Sequence, residues 1–214
     1  IGDDLIGIRY RAKFVVQAFC AFLLAASGIW MYNMNGFLGM QFLPMWLGMP
    51  ITMIIVVYII NSINLIDGVD GLASGLCAIA FLYLGVIFYI YEMYVYVLIA
   101  VAGLGVLLPF FYFNVFGKAE DSKKIFMGDA GSLTMGFLVC MLCVRLSTIK
   151  YELPFISNYN PFILGFSPVI LPCLDVVRVV LRRVIAGHSP FLPDKSHTHH
   201  RLLEIGVSPK MTML

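Results

Sequence analysis

The sequence predicts an all-α, polytopic membrane protein, with about six transmembrane helices in one domain covering residues 1–214. Two observations lead there. Of 214 residues, 61% are hydrophobic and only 12% charged, whereas a soluble domain carries about 45–50% apolar and about 25% charged residues. Mean hydropathy is +0.93, and the apolar residues gather into runs near the roughly 20 needed to cross a bilayer as a helix. The same composition excludes a disordered chain, a disulfide scaffold and a soluble nucleic-acid binder. Cys20, Cys77, Cys140, Cys143 and Cys173 all fall inside apolar runs, where thiols behave as small hydrophobes.

The predicted spans run from about Phe14 to Tyr32, Trp46 to Ile63, Leu72 to Tyr91, Val95 to Phe113, Ser132 to Ile149 and Phe162 to Val180. The second holds Pro50, which lipid-embedded helices tolerate when neighbours satisfy the freed carbonyl. The fifth ends at Arg145, a side chain expected to snorkel toward the interface. The chain opens at Ile1 with no basic leader or cleavage site. It is expected to begin partway through a longer protein, with the C-terminal end open to the same reading.

Threading these spans alternately puts Arg9, Arg11, Lys13, Lys118, Lys123, Lys124, Arg182, Arg183, Lys195, Arg201 and Lys210 on one side. The other side receives Lys150, with Arg145 beside it. Excess Lys and Arg mark the cytoplasmic face. Most of the carboxylates and all four histidines share that face, so any chemistry is expected in the cytoplasm at the lipid interface.

Four constellations stand there. Asn61, Asn64, Asp67 and Asp70 recur every three residues at the end of span two, with Gly68 and Gly71 between and after them. Helical spacing aligns such side chains along one side. A plain Asp-Gly turn explains two of them, but not four polar residues in phase at a membrane span, where each costs free energy. Phe126, Gly128, Asp129, Gly131 and Ser132 precede span five. Asp129 is either a helix cap or an oxygen ligand for a hard cation that also takes phosphate oxygens; Phe126 offers a stacking face for a nucleobase. Asp3 and Asp4 are adjacent carboxylates, either a charged flank or a pair that a metal or shared proton stabilises. The tail from Arg182 and Arg183 to Lys195, His197, His199 and His200 is built to meet phosphates. It equally suits anionic lipid headgroups, and less well a zinc ion, for which no fourth ligand stands at ordinary spacing.

Together these segments resemble the polyprenyl-phosphate N-acetylhexosamine-1-phosphate transferase family (glycosyltransferase family 4). The resemblance rests on Asn61 to Gly71, Phe126 to Ser132 and Ser189 to His200, in the family's order and on the face the charges mark as cytoplasmic. It implies a Mg²⁺-dependent transferase, with Mn²⁺ as an alternative ion, in the bacterial cytoplasmic (inner) membrane. Such an enzyme moves a sugar 1-phosphate from a UDP-N-acetylhexosamine to a polyprenyl phosphate such as undecaprenyl phosphate and releases UMP, the first membrane step of cell-envelope polysaccharide synthesis. By the resemblance, Asp129 and Asn64 hold the metal, Phe126 stacks on uracil, and Asp67 and Asp70 line the nucleotide pocket. Asp3 or Asp4 deprotonates the lipid phosphate, and His197, His199, His200 and the basic residues engage the sugar-phosphate and pyrophosphate. Asn61, Gly128 and Ser132 complete the expected substrate contacts.

The segment Pro193 to His200 resembles the branch that uses UDP-N-acetylglucosamine. The peptidoglycan branch, which transfers a phospho-muramoyl pentapeptide, is the alternative. Two departures stand out: family members usually carry further spans before the aspartate pair, and residues 117–124 are more charged than the pattern leads one to expect. A non-catalytic lipid-phosphate binder also stays open, as does oligomerisation. A transporter fits poorly, because pathway carboxylates belong near the bilayer midplane.

Overall fold

The computed structural model describes residues 10–118, 123–149 and 160–185. Within them the chain forms α1 (Tyr10–Ala26), α2 (Met45–Ile66), α3 (Leu72–Ile90), α4 (Tyr94–Phe116), α5 (Gly128–Ser147), α6 (Pro161–Phe166) and α7 (Ile170–Ile185). No strand forms among the described residues; an isolated bridge joins Asn33 to Phe42. The all-α polytopic expectation holds. The helices α2, α3, α4, α5 and the α6–α7 segment Pro161–Ile185 are each long and apolar enough to cross a membrane.

Two expected spans differ from the prediction. The first stops short. Its helix ends at Ala26, and the chain turns at Gly28 (φ +93°), a left-handed conformation that glycine adopts at little cost. The apolar residues beyond Gly28 belong to a hairpin, because Gly36 and Gly39 also take positive φ and reverse the chain. The last span is interrupted: Ser167–Val169 forms a 3₁₀ turn around Pro168, which lacks the N–H an α-helix needs. The other four agree with the prediction to within a few residues.

The helices alternate in direction, and the best packed neighbours are α3 with α4, α2 with α5, α5 with α6, and α1 with α2. The core joins Val56 and Ile60 of α2 to Phe81, Leu84 and Phe88 of α3 and to Val139, Leu142 and Val144 of α5. Small residues set the spacing, as they do where helices associate in lipid. A Cβ on Gly103 would meet the Phe81 ring at 2.7 Å, and one on Gly136 would meet the Ile60 backbone at 3.2 Å. Arg145 does not simply reach outward: its guanidinium lies 5.4 Å from the centre of the Tyr96 ring, an attractive cation–π geometry. The alternation brings the start of α1, the α2–α3 turn, the α4–α5 connection and the end of α7 to one end of the bundle.

Candidate active site

That end gathers two of the four constellations. Asn64, in the last turn of α2, and Asp129 and Ser132, in the first turns of α5, meet across the tight contact that Gly136 permits. The Asn64 amide nitrogen donates to Asp129 Oδ1 at 3.1 Å and to Ser132 Oγ at 2.8 Å. The residue before α5 supplies no side-chain cap, and Gly128 takes φ +65°. Asp129 is therefore not the cap of its helix; its carboxylate faces Asn64 and Lys13, whose ammonium donates to Oδ2. A helix start is electropositive, and suits phosphate.

Asp67 directly follows α2 and is partly buried. Burial pushes its carboxyl up to about 7, and the neighbouring charges of Asp129 and Asp70 push the same way. Three carboxylates thus share one crowded region, a cost unless positive charge enters it. Lys124 supplies some, donating to Asp70 Oδ2 while lying 5.6 Å from the centre of the Phe126 ring. The Phe126 ring is 74% exposed, so an outer face is available for stacking. The two loops are braced by Asn114 of α4, which is buried. Its amide oxygen accepts from Gly71 N at 2.6 Å, and its nitrogen donates to Ile125 O at 2.8 Å. Gly71 itself sits at φ +82°.

Asn61 stands apart from the carboxylates: it exchanges hydrogen bonds with Gln17 of α1, donating at 2.6 Å. The expectation of one continuous polar side from Asn61 to Asp70 therefore splits, with Asn61 tying α1 to α2 and Asn64 facing α5. Beside this junction is an apolar cleft of about 440 Å³, lined by Val16, Cys20, Ile60, Leu133 and Phe137, with Lys13 also in its wall. Lys13 thus belongs both to the cleft and to the Asp129 cluster.

Residues 1–147 match the family described as glycosyl transferase family 4. The chain belongs to that family. It is 33% identical over 213 residues to a Bacillus subtilis (strain 168) protein named "Probable undecaprenyl-phosphate N-acetylglucosaminyl 1-phosphate transferase", a match covering 99% of this chain and 56% of that protein. It is 34% identical over 233 residues to the decaprenyl-phosphate N-acetylglucosaminephosphotransferase of Mycobacterium leprae (strain TN), covering 99% of this chain and 56% of that protein. An undecaprenyl-phosphate alpha-N-acetylglucosaminyl 1-phosphate transferase of Escherichia coli (strain K12) is 27% identical over 214 residues, with 99% and 56% covered. The chain spans about half the length of the curated relatives it matches.

The candidate site brings together some of the expected residues and not others. Asp3, Asp4, Lys195, His197, His199 and His200 lie outside the described residues. Arg182 and Arg183 occupy the last turn of α7, a helix end that favours cations, at the same end of the bundle as the carboxylates. The sequence reading missed Lys13 as a site residue, together with Gln17, Asn114 and the Lys124–Asp70 pair. A signal existed for Gln17 and Asn114, each a single amide in an otherwise apolar run, from Phe14 to Leu24 and from Tyr94 to Phe116.

The donor chemistry fits a hard divalent cation. Among the described residues, no group of three or more His, Cys, Asp or Glu side chains is arranged to hold a metal by itself. A carboxylate and an amide side by side, at a helix start suited to phosphate, instead match Mg²⁺, which takes one or two protein carboxylates and completes its shell with water and substrate phosphates. The Asp67 carboxyl is raised by burial first and by the charges of Asp129 and Asp70 next, so a cation entering the region relieves the second of these.

Proposed function

We propose that this chain is the catalytic portion of an enzyme that transfers N-acetylglucosamine 1-phosphate, or a related N-acetylhexosamine 1-phosphate, from its UDP-sugar to a polyprenyl phosphate. The observation that carries the reading is Lys13, which lines the apolar cleft and bonds Asp129. A lipid phosphate needs an apolar channel for its chain and a cation where the chain ends. A transfer to it needs that cation beside the group that binds the donor's pyrophosphate. The names of the relatives, which speak of undecaprenyl or decaprenyl phosphate and N-acetylglucosamine, support the same choice.

In this reading Asp129 and Asn64 would hold Mg²⁺, which would supply charge neutralisation for the donor's pyrophosphate and the departing UMP. Ser132 orients Asn64 through their hydrogen bond. Lys13 draws the acceptor phosphate toward Asp129, and the Arg182 and Arg183 guanidiniums bind the donor's phosphates. Asp67 and Asp70 border the nucleotide, and Phe126 stacks on its base. Asp3 or Asp4 takes the proton of the lipid phosphate, and Lys195, His197, His199 and His200 contact the sugar-phosphate. The phosphate chemistry places the reaction at the headgroup level, and the excess of Lys and Arg at that end argues for the cytoplasmic face of the inner membrane.

The test uses the full-length parent protein in detergent with undecaprenyl phosphate and UDP-N-acetylglucosamine, and follows UMP release. UMP formed only with both lipid and Mg²⁺ supports the reading. Release from other UDP-sugars alone overturns the donor. A folded protein that is silent with every donor overturns the enzyme.

A further inference from the structure

The connection between α1 and α2 has a composition unlike that of a solvent loop. Residues 27–44 contain no Asp, Glu, Lys, Arg or His, and they lie at the end of the bundle away from the candidate site. Their polar groups are largely consumed inside the protein. Tyr32 Oη donates to Thr148 O at 2.9 Å, and the Asn35 amide donates to Ser147 O at 2.9 Å, both at the close of α5. Asn33 bonds Asn35, and Asn160 donates to Asn35 O at 2.7 Å. The hairpin backbone pairs with itself, through Met34 N to Gln41 O at 2.8 Å, Leu43 N to Tyr32 O at 3.0 Å and Gly36 N to Met40 O at 3.0 Å.

What remains outward is apolar. Leu38 is 77% exposed, Phe42 66% and Met40 40%, followed at the start of α2 by Met45 and Trp46 at 61% and 75%. Gln41 is the one exposed polar side chain in residues 36–46. Leu38 holds φ +53° at the tip, a left-handed conformation in which Gly or Asn is the easy choice and in which a water-facing tip would place one. The surface continues without a charged residue into the exposed Phe22 and Leu23 of α1. Those helix faces already require lipid around them. The hairpin's own bonds satisfy part of its backbone, and the hydrated interfacial zone at glycerol depth supplies partners for the rest.

We propose that this hairpin is seated in the bilayer. Leu38, Met40 and Phe42 enter the leaflet opposite the candidate site, with Trp46 at headgroup level, the position amphipathic indoles favour. The occupant of the exposed face is lipid, because the patch is continuous with the lipid-facing helices and offers no charge to a protein partner.

The experiment places a fluorescent reporter on the tip. In the full-length protein, all native tryptophans (Trp30 and Trp46 here) are changed to Phe, and Leu38→Trp or Met40→Trp is added singly. Each variant that keeps its size-exclusion profile is reconstituted in phosphatidylcholine vesicles. The expected result is strong loss of emission with chains brominated near the glycerol and little loss with aqueous iodide. Quenching by iodide without quenching by bromolipid puts the tip in water and overturns the proposal. Quenching by neither means that a second copy or another protein covers the tip, and also overturns it. The two reporter positions are independent, so misfolding of one variant leaves the other to decide.

Discussion

Asn64 and Asp129 stand 65 residues apart in sequence on different helices, yet the amide nitrogen of one lies 3.1 Å from the carboxylate of the other. The same nitrogen reaches Ser132 Oγ at 2.8 Å, and with both hydrogens used in this way the amide oxygen is fixed in direction. Removing Ser132 Oγ frees the amide to rotate. Ser132→Ala is therefore expected to lower UMP release about tenfold, the scale for partners that orient a metal ligand, with the Mg²⁺ concentration at half-maximal rate raised. An unchanged Mg²⁺ dependence would detach Ser132 from the metal.

Asp129→Asn keeps the shape and the Asn64 neighbour but removes the charge. Losing the metal's carboxylate should cost about a thousandfold in turnover, about 4 kcal/mol of transition-state stabilisation. The folded protein should survive, because Asp129 is not the N-cap residue of α5 and is not in the core. Equal losses of turnover and of thermal stability would make the residue structural.

The pH response of stability is set in part by Asp67. Its carboxyl rises from the ordinary 3.8 to about 7 in the folded protein, through burial first and then the charges of Asp129 and Asp70. Between those two values the folded chain keeps a proton that the unfolded chain has released. The stabilisation is thus complete below the unfolded value and is lost as pH rises through about 7. Thermal midpoints of the protein in EDTA should fall between about pH 4 and about pH 7 more steeply than those of Asp67→Asn. Parallel curves for the two proteins would show that Asp67 has an ordinary carboxyl.

The tight contact of α2 and α5 connects packing to chemistry. A side chain on Gly136 would press on the Ile60 backbone, which cannot yield as a flexible side chain can. Gly136→Val should destabilise by about 1–3 kcal/mol and lower activity further than Gly103→Ala, whose strain falls on Phe81 between α3 and α4. Activity and unfolding in detergent, measured on both variants, check the order.

Much of this architecture is legible in the sequence, because hydrophobic runs long enough to span a bilayer are a strong and simple signal. The acids at Asp67, Asp70 and Asp129 are legible for a related reason: polar residues next to a membrane span stand out. What the sequence hides is pairing. The run from Phe14 to Tyr32 reads as one span, although left-handed Gly28 divides it into a helix and a hairpin arm. Lys13 reads as a flanking charge like Arg9 and Arg11, since nothing local says that it faces Asp129, 116 residues away. Asn61 and Asn64 share a spacing but turn to different helices.

Lys13 offers the sharpest separation of lipid from nucleotide. It is the residue shared by the apolar cleft and the Asp129 cluster. A charge-assisted hydrogen bond contributes about 1.5–3 kcal/mol, so Lys13→Gln should lower kcat/KM for the polyprenyl phosphate by about tenfold to a hundredfold. The KM for the UDP-sugar should change much less, because Phe126 and the Asp67–Asp70 turn lie on other elements. Lys13→Arg keeps the cation and should recover part of the loss. If Lys13→Gln raises the KM of the nucleotide sugar and leaves that of the lipid phosphate alone, the lysine serves the donor and the cleft belongs to something other than the acceptor.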